Sequence, residues 1–313
     1  MIDNLVMDIV NRKYIVIMIG LILLPSVMAA QSMKEEYEAL FLKDDPLQEE
    51  EFLKRWELAD SNDAELYTAY FNFYVNQSRN ENLAIGKDKP DTNDFLVLNE
   101  SDTTQKEPAG YIYNNVTYDT GLIKKAFHYA DKGIEKFPMR LDIRFGKIYV
   151  YSLLGDYDKY TNEIIKTIEY SSKNNNNWHW ADNKKLEDGK KVFLDGLQGY
   201  ILHIYETGDN LLLKYMIQIA ETTLQYYPDS VESLTNMAIV YLLWEEYDEA
   251  LKTLLAAEKL RPDDMVVLGN IAQAYKLKGD KGNAIKYYMR IIDRGDADAK
   301  SYAKSQIEAL GGR

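Results

Sequence analysis

The chain has 313 residues, no cysteine and a formal net charge of −13. It therefore forms no disulfide bond, and it offers no thiolate to a metal or to a reaction. Acidic residues are in excess and there is no long basic run. Nucleic acid and anionic membrane surfaces are therefore not expected partners, because both are recognised by clustered Lys and Arg.

The N-terminus has the pattern of a secretory signal. Arg12 and Lys13 precede an apolar run from Tyr14 to Leu24, and small residues end at Ala29 and Ala30. A basic start, an apolar centre and a small-residue cleavage site are typical of such signals. We therefore predict a cleaved signal peptide and a periplasmic or secreted protein.

The alternative for this segment is an uncleaved membrane anchor formed by residues 14–30. The apolar run is at the short end of what a spanning helix needs. We place the signal peptide at residues 1–30, with cleavage near its end. Because no cysteine follows the signal, a lipid-anchored form is not expected.

Residues 31–59 are predicted to form a polar, loosely held segment followed by one helix. The segment 31–46 is polar, whereas Phe52 and Trp56 are four residues apart on one helical face. An aromatic helix follows over Ala64–Gln77, after the capping cluster Asp60–Asp63. This helix opens a predicted helical array over residues 60–296.

The array contains a long insertion at residues 79–119. The insertion is rich in Asn, Asp, Thr, Lys and Pro, and two short β-prone pieces lie within it, Phe95–Leu98 and Tyr111–Tyr113. We predict a small hairpin or a mobile flap between one helix and its partner, Leu122–Phe137. A loop of this length in a compact array is usually functional or disordered.

Helices resume after the insertion and are interrupted once more by a linker at residues 172–182. Four asparagines and then Trp178, His179 and Trp180 lie in this linker. The two tryptophans either plug the gap between neighbouring repeats or form an exposed aromatic patch for a sugar. Residues 297–313 are predicted as an amphipathic helix that caps the last apolar face.

A 34-residue repeat relates the helices between Pro228 and Arg294. Its large, small and aromatic positions recur at the same offsets before and after Pro262. The first copy contains Leu234, Met237, Ala238, Tyr241, Ala250, Leu254 and Ala257, and the second contains Leu268, Ile271, Ala272, Tyr275, Ala284, Tyr288 and Ile291. Small residues at these offsets allow two antiparallel helices to approach closely, and large ones fill the gaps to the next hairpin.

This pattern resembles the tetratricopeptide repeat, and weaker matches extend it upstream to about residue 60. The resemblance implies an all-α fold, a right-handed superhelix of stacked helical hairpins. It also implies that the first helix of each hairpin lines a concave groove that binds protein. The groove residues predicted from the phase of the helices are Tyr67, Phe71, Tyr74, Phe145, Tyr149, Tyr200, Asn236, Ile239, Asn270 and Gln273.

Asn236 and Asn270 are suited to binding a peptide backbone, because each side-chain amide both donates and accepts hydrogen bonds. Some tetratricopeptide domains clamp a C-terminal carboxylate with basic residues beside such asparagines. The neighbouring positions here are Glu232, Thr235 and Val266. That specialised mode is therefore not expected.

Catalytic and metal-binding patterns are not found in the sequence. The three histidines are far apart, and the helical carboxylate pairs fit a solvated surface. We predict no enzyme activity, no cofactor and no metal site. The expected function is a protein-interaction scaffold that binds a peptide or helix of an envelope protein. The alternatives are a glycan-binding module that uses Trp178 and Trp180, and an accessory factor for envelope assembly or secretion.

Overall fold

The computed structural model describes residues 28–43, 45–90, 95–98 and 108–311. The apolar run of the predicted signal peptide lies outside these residues. The described chain forms two compact units. The N-terminal unit ends at Leu154 and also includes His179–Lys185, and the C-terminal unit comprises Gly155–Trp178 and Leu186–Arg313. In the described part of the chain, no helix is both long and apolar enough to span a bilayer.

The N-terminal unit contains five helices and two small sheets. Its elements are α1 (Met28–Phe41), α2 (Pro46–Ala59), α3 (Ala64–Ser78), β1 (Arg79–Gly86), β2 (Phe95–Leu98), β3 (Gly110–Tyr118), α4 (Thr120–Lys136), α5 (Leu141–Leu153), β4 (His179–Trp180) and β5 (Lys184–Lys185). Helix α1 corrects the prediction of a loosely held segment at 31–46. Its Tyr37 packs against Phe52 and Trp56 of α2, and this apolar contact orders a stretch that is otherwise polar.

The C-terminal unit is helical throughout. Its elements are α6 (Tyr157–Lys173), α7 (Gly189–Glu206), α8 (Leu213–Tyr226), α9 (Val231–Leu243), α10 (Tyr247–Leu260), α11 (Met265–Lys278), α12 (Lys281–Arg294) and α13 (Ala297–Ala309). Helices α9 and α10 form one hairpin, α11 and α12 form the next, and α13 packs on α12. The predicted fold class, all-α with stacked helical hairpins and one long insertion, is confirmed.

Most helices begin at an acidic or hydroxyl side chain that caps the first turn. Asp264 accepts hydrogen bonds from the backbone N–H groups of Val266 and Val267, and Asp280 accepts one from Asn283. Such caps satisfy N–H groups that have no partner within the helix. Helix α11 ends at Gly279, whose φ of 89° is a left-handed conformation that glycine adopts without strain.

The small residues of the 34-residue repeat lie at the centre of the C-terminal core. The side chains of Ala238, Ala250, Ala272 and Ala284 are fully buried, as the repeat pattern predicts. Ala238, Ala272 and Ala284 lie in one apolar cluster with Leu254, Leu268, Ile271 and Tyr288. Because an alanine leaves room for a neighbouring helix, this cluster fixes which face of each helix points inward and which faces out.

The insertion folds into a three-stranded antiparallel sheet with strand order β1-β3-β2. Strand β1 pairs with β3 along its whole length, from Arg79 opposite Tyr118 to Gly86 opposite Tyr111. The shorter β2 pairs with residues 110–113 on the other side. The sequence predicts strands at β2 and β3 but misses β1, whose first four residues are polar or charged.

Candidate functional site

Three helices of the C-terminal unit, α7, α9 and α11, each keep one stripe of side chains at the surface. Spacings of three and four residues place each stripe on a single helical face. All stripe residues are half-buried or exposed. They are Asp195, Gln198, Leu202 and Tyr205 on α7; Glu232, Asn236, Ile239 and Leu243 on α9; and Val266, Asn270, Gln273 and Leu277 on α11.

The three stripes lie side by side in register. The side-chain amide of Asn236 donates a hydrogen bond to Gln198 Oε1 at 2.8 Å, which joins α7 to α9. The N-terminal turns of these two helices also line one cleft, so the helices run in the same direction. Helices α9 and α11 contact each other and are related by the 34-residue period, which sets Asn236 beside Asn270.

This register sorts the surface into rows that cross the three helices. The first row holds Asp195, Glu232 and Val266. The amide row is Gln198, Asn236 and Asn270. The third row is Leu202, Ile239 and Gln273. The apolar row is Tyr205, Leu243 and Leu277.

At the first row, the surface opens into a charged cleft of about 380 Å³. Lys191 Nζ lies 2.5 Å from a carboxylate oxygen of Asp195, and Arg261 Nη2 lies 2.5 Å from a carboxylate oxygen of Glu232. The hydrogen bond to Glu232 is the main cause that raises the pKa of the Arg261 guanidinium. Basic residues therefore do lie in the cleft that borders the amide row at Gln198, although Lys191 and Arg261 are each paired with an acid.

The amide row and the third row are already partly engaged in hydrogen bonds. Asn236 is bonded to Gln198, and Gln273 Oε1 accepts a hydrogen bond from the hydroxyl of Tyr288 at 3.3 Å. Asn236 and Gln273 therefore already have hydrogen-bond partners in the absence of a ligand. These bonds hold the side chains in fixed orientations, which lowers the conformational entropy lost when a ligand binds.

The apolar row consists of large side chains that remain exposed to solvent. Tyr205 and Leu243 are each 46 % exposed and Leu277 is 44 % exposed. Leu243 and Leu277 occupy equivalent positions of the repeat. Single exposed apolar residues are common, but a row of them at equivalent positions of adjacent helices marks a candidate contact surface.

The predicted groove residues of α3 are not at the surface, and that prediction is wrong. Tyr67, Phe71 and Tyr74 are all buried. Tyr67 packs on Phe137, and the ring of Tyr74 lies on that of Tyr129 from α4. Because α3 is covered by α2 on one side and α4 on another, its aromatic side chains belong to the core.

Phe145 and Tyr149, on α5 of the N-terminal unit, are partly accessible. The ring of Phe145 contacts Trp180 edge-on at 6.2 Å between centroids. Tyr149 is partly exposed and lies near Tyr118 and Arg79 at the base of the inserted sheet. The buried part of its surroundings raises the pKa of its hydroxyl. These residues form a separate patch with Trp180, which is half-buried.

Trp178 is fully buried, which contradicts an exposed aromatic patch in the linker. Its ring packs against Tyr170 of α6 and Phe193 of α7. Trp178 therefore fills the space between two helices of the C-terminal unit. The predicted glycan-binding alternative loses one of its two tryptophans.

Tyr200 also faces a different direction from the one predicted. Its backbone oxygen accepts a hydrogen bond from the hydroxyl of Tyr160 at 2.8 Å, and the two rings meet edge-on. Burial raises the pKa of the Tyr200 hydroxyl. The side chain therefore packs toward α6, and the accessible face of α7 carries Gln198, Leu202 and Tyr205 instead.

Sequence reasoning missed eight residues of this surface, namely Lys191, Asp195, Gln198, Leu202, Tyr205, Leu243, Arg261 and Leu277. Counting back by 34 residues from Glu232, Asn236 and Ile239 gives Gln198, Leu202 and Tyr205, so the period indicates this face of α7, although the hydrogen bond from Asn236 to Gln198 joins residues 38 apart. The predicted phase selected Tyr200 instead. Arg261 follows the end of α10 and reaches the surface from outside the stripes. Among the described residues, no group of three or more His, Asp or Glu side chains could hold a metal ion.

The family model of the tetratricopeptide repeat matches the last two helical hairpins. The matched residues are 231–264 and 267–294, which contain α9, α10, α12 and most of α11. No curated protein matches the sequence.

Solved structures with similar folds share little sequence with this chain. YrrB, described as a TPR protein with an unusual peptide-binding site, is 14 % identical with a TM-score of 0.39; the match covers 81 % of this chain and 97 % of that one. A tetratricopeptide repeat protein from Parabacteroides merdae is 13 % identical, with coverages of 91 % and 87 % and a TM-score of 0.35. A thermophilic TPR protein of Thermus thermophilus is 16 % identical, with coverages of 59 % and 90 % and a TM-score of 0.35.

Proposed function

This chain is a tetratricopeptide-repeat protein, and we propose that it is a non-enzymatic scaffold whose α7, α9 and α11 hold an extended peptide segment of another protein. The observation that carries this proposal is the amide row. Three side-chain amides on the alternate helices α7, α9 and α11 line a path across the C-terminal unit, and Gln198 and Asn236 are already bonded to each other.

An extended peptide presents N–H and C=O groups along its whole length, and these groups must be satisfied when water is displaced. An amide side chain both donates and accepts, so it can bond to either backbone group. Asn236 donates one hydrogen of its amide to Gln198. Its oxygen can accept from a peptide N–H without breaking that bond.

The rows on either side of the amides supply contacts for peptide side chains. The charged cleft offers ion pairs at the protein surface, and such pairs exchange partners at small free-energy cost. The apolar row offers aromatic and leucine surface, the type of contact that carries much of the binding energy in protein interfaces. A peptide that crosses the amide row lies between these two environments.

We place the partner in the cell envelope. The support for this is the sequence pattern of the first 30 residues, with its basic start and apolar run. An envelope assembly or secretion factor would use the same surface, because it also acts by binding protein.

The proposal is tested by comparing two double variants as bait for envelope proteins. Asn236→Ala with Asn270→Ala removes two members of the amide row. Gln218→Ala with Gln225→Ala removes two exposed amides of α8 and serves as the matched control. We expect the first variant to weaken binding of the partner by about 1–3 kcal/mol, roughly 5- to 150-fold, and the control to bind like the wild type. Equal binding by all three proteins would refute the proposed surface.

A further inference from the structure

We propose that the segment held on this surface adopts the polyproline II conformation and carries an apolar side chain at every third position. The apolar row, Tyr205, Leu243 and Leu277, receives these side chains. This inference rests on the proposed function, because it specifies the ligand of the same surface. It is carried by the register of the three helices and by the exposure of the apolar row.

The apolar row places one large side chain on each of the three alternate helices α7, α9 and α11, at the same level. Tyr205 and Leu243 each lie seven residues beyond the hydrogen-bonded pair Gln198 and Asn236, and Leu277 lies seven residues beyond Asn270. All three side chains are nearly half exposed. A ligand that crosses the helices therefore meets one apolar contact per helix.

The distance between these contacts is set by helix packing. Helices α9 and α11 are in contact, and the 2.8 Å hydrogen bond from Asn236 to Gln198 brings α7 next to α9. Neighbouring packed helices lie about 8–10 Å apart. Three residues of a polyproline II segment advance about 9 Å, at 3.1 Å per residue, and complete one turn. Each third side chain of such a segment returns to the same edge and meets the next helix of the unit.

A β-strand does not match the same spacing. Three strand residues also advance about 10 Å, but successive side chains alternate between the two sides. The third residue would therefore point away from the apolar row. The strand residues that point to the same side, at every second position, are only about 7 Å apart, which is less than the distance to the next helix. The spacing thus favours polyproline II over a strand.

The distance from the amide row to the apolar row also suits a single extended segment. Seven helical residues span about 10 Å along the axis, at 1.5 Å per residue. A backbone that lies over the third row, at the level of Ile239, is therefore roughly 5 Å from each of the two rows. From there its polar groups reach Asn236 and Asn270, and its apolar side chains reach Leu243 and Leu277.

Two fluorescein-labelled synthetic peptides test this inference. The first repeats Leu-Pro-Gln five times. The second peptide also contains five Leu, five Pro and five Gln, but its leucines are at positions 1, 3, 5, 7 and 9. Binding to the full chain is measured by fluorescence anisotropy. The protein variants are Leu243→Ser with Leu277→Ser in the apolar row, and Leu260→Ser with Met289→Ser as a control at exposed positions of α10 and α12.

We expect the triplet peptide to bind at least five times more tightly than the alternating peptide. We also expect the apolar-row variant to lose at least fivefold in affinity for the triplet peptide, while the control variant keeps it. Circular dichroism and the melting temperature verify that both variants are folded. Equal binding of the two peptides, or equal loss in the two variants, would overturn the assignment of spacing and conformation.

The amide-row variant separates this inference from the proposed function. If both peptides bind equally and Asn236→Ala with Asn270→Ala weakens both, the surface binds peptides but the three-residue spacing is wrong. If the amide-row variant binds both peptides and the captured envelope partner as the wild type does, the proposed function itself fails. If neither peptide binds while the envelope partner still depends on the amide row, the spacing is again wrong.

Discussion

Asn236 donates a hydrogen bond to Gln198 across 38 residues of sequence, and this contact sets the faces of α7 and α9 in register. The bond lies at the middle of both exposed stripes. It explains how a helix outside the regular 34-residue period can still join the surface formed by α9 and α11. Two members of the amide row, Gln198 and Asn236, are thus positioned before any ligand arrives.

Ala250→Leu should destabilise the C-terminal unit. Ala250 is fully buried, and the next residue, Leu251, belongs to the cluster that contains Ala238 and Leu254. Extra volume at Ala250 therefore forces neighbouring side chains out of their preferred rotamers. We expect the free energy of unfolding to fall by about 1–3 kcal/mol in urea denaturation. Ala256→Leu, at a half-buried position of the same helix, is the control and should change stability much less. Similar stability of the two variants would show that α10 is not closely packed at Ala250.

The 34-residue repeat makes the last two hairpins predictable from sequence. The shared offsets place the alanines in the core, and they therefore also predict which face of each helix is exposed. That face carries Asn236, Ile239, Asn270 and Gln273. The structure places all four at or near the surface. Their role in binding remains a prediction.

Farther upstream the period fails, and the predicted phase fails with it. The inserted sheet separates α3 from α4, and the linker before α7 shifts that helix relative to the repeat. Tyr67, Phe71 and Tyr74 look like groove aromatics in the sequence, yet α2 and α4 bury them. The residue pattern within one helix does not show which other helices pack against it, because those contacts depend on the tertiary structure.

Trp178→Ala should reduce stability rather than remove a binding site. Trp178 is buried between Tyr170 and Phe193, so truncation leaves a cavity between α6 and α7. Replacing a large buried aromatic with alanine typically costs about 3–5 kcal/mol. We expect a clear loss of melting temperature in differential scanning calorimetry. Trp178→Phe, which keeps most of the apolar volume, should lose much less. An unchanged melting temperature in Trp178→Ala would contradict the buried position.

Arg140→Gln should destabilise the N-terminal unit. The Arg140 guanidinium is buried, 2.6 Å from a carboxylate oxygen of Glu65 and 2.6 Å from one of Asp142. Removing the charge leaves the largely buried Asp142 without this cation and Glu65 with Lys34 alone, at 3.4 Å. Breaking a buried pair costs about 3–5 kcal/mol. Urea denaturation measures the loss.

Arg261→Gln is the matched control for that experiment. Arg261 also pairs with an acid, Glu232, but both side chains are exposed. Exposed pairs contribute about 0–1 kcal/mol, so this variant should remain close to the wild type in stability. An equal loss in the two variants would show that burial does not distinguish the two ion pairs.

The inserted sheet should be the first part of the chain that trypsin cleaves. Lys87 is exposed in the turn that follows β1, whereas Lys89 precedes a proline and is a poor trypsin site. Lys106, a third predicted site, lies outside the described residues. We expect cleavage after Lys87 before any cleavage within a helix, as identified by mass spectrometry of the fragments. Lys87→Gln should slow this first cut, and full protection of Lys87 in the wild type would show that the turn is covered.

Site-specific photo-crosslinking tests most directly whether the partner lies on the stripes of α9 and α11. A photoreactive residue replaces Ile239 or Gln273 on the proposed surface, or Lys252 or Lys286 at exposed, repeat-equivalent positions of α10 and α12. We predict that the captured envelope partner is cross-linked at 239 and 273 through a peptide segment identified by mass spectrometry, with little product at 252 and 286. Crosslinks at 252 and 286 without any at 239 and 273 would place the partner on the opposite helices and contradict the proposed function.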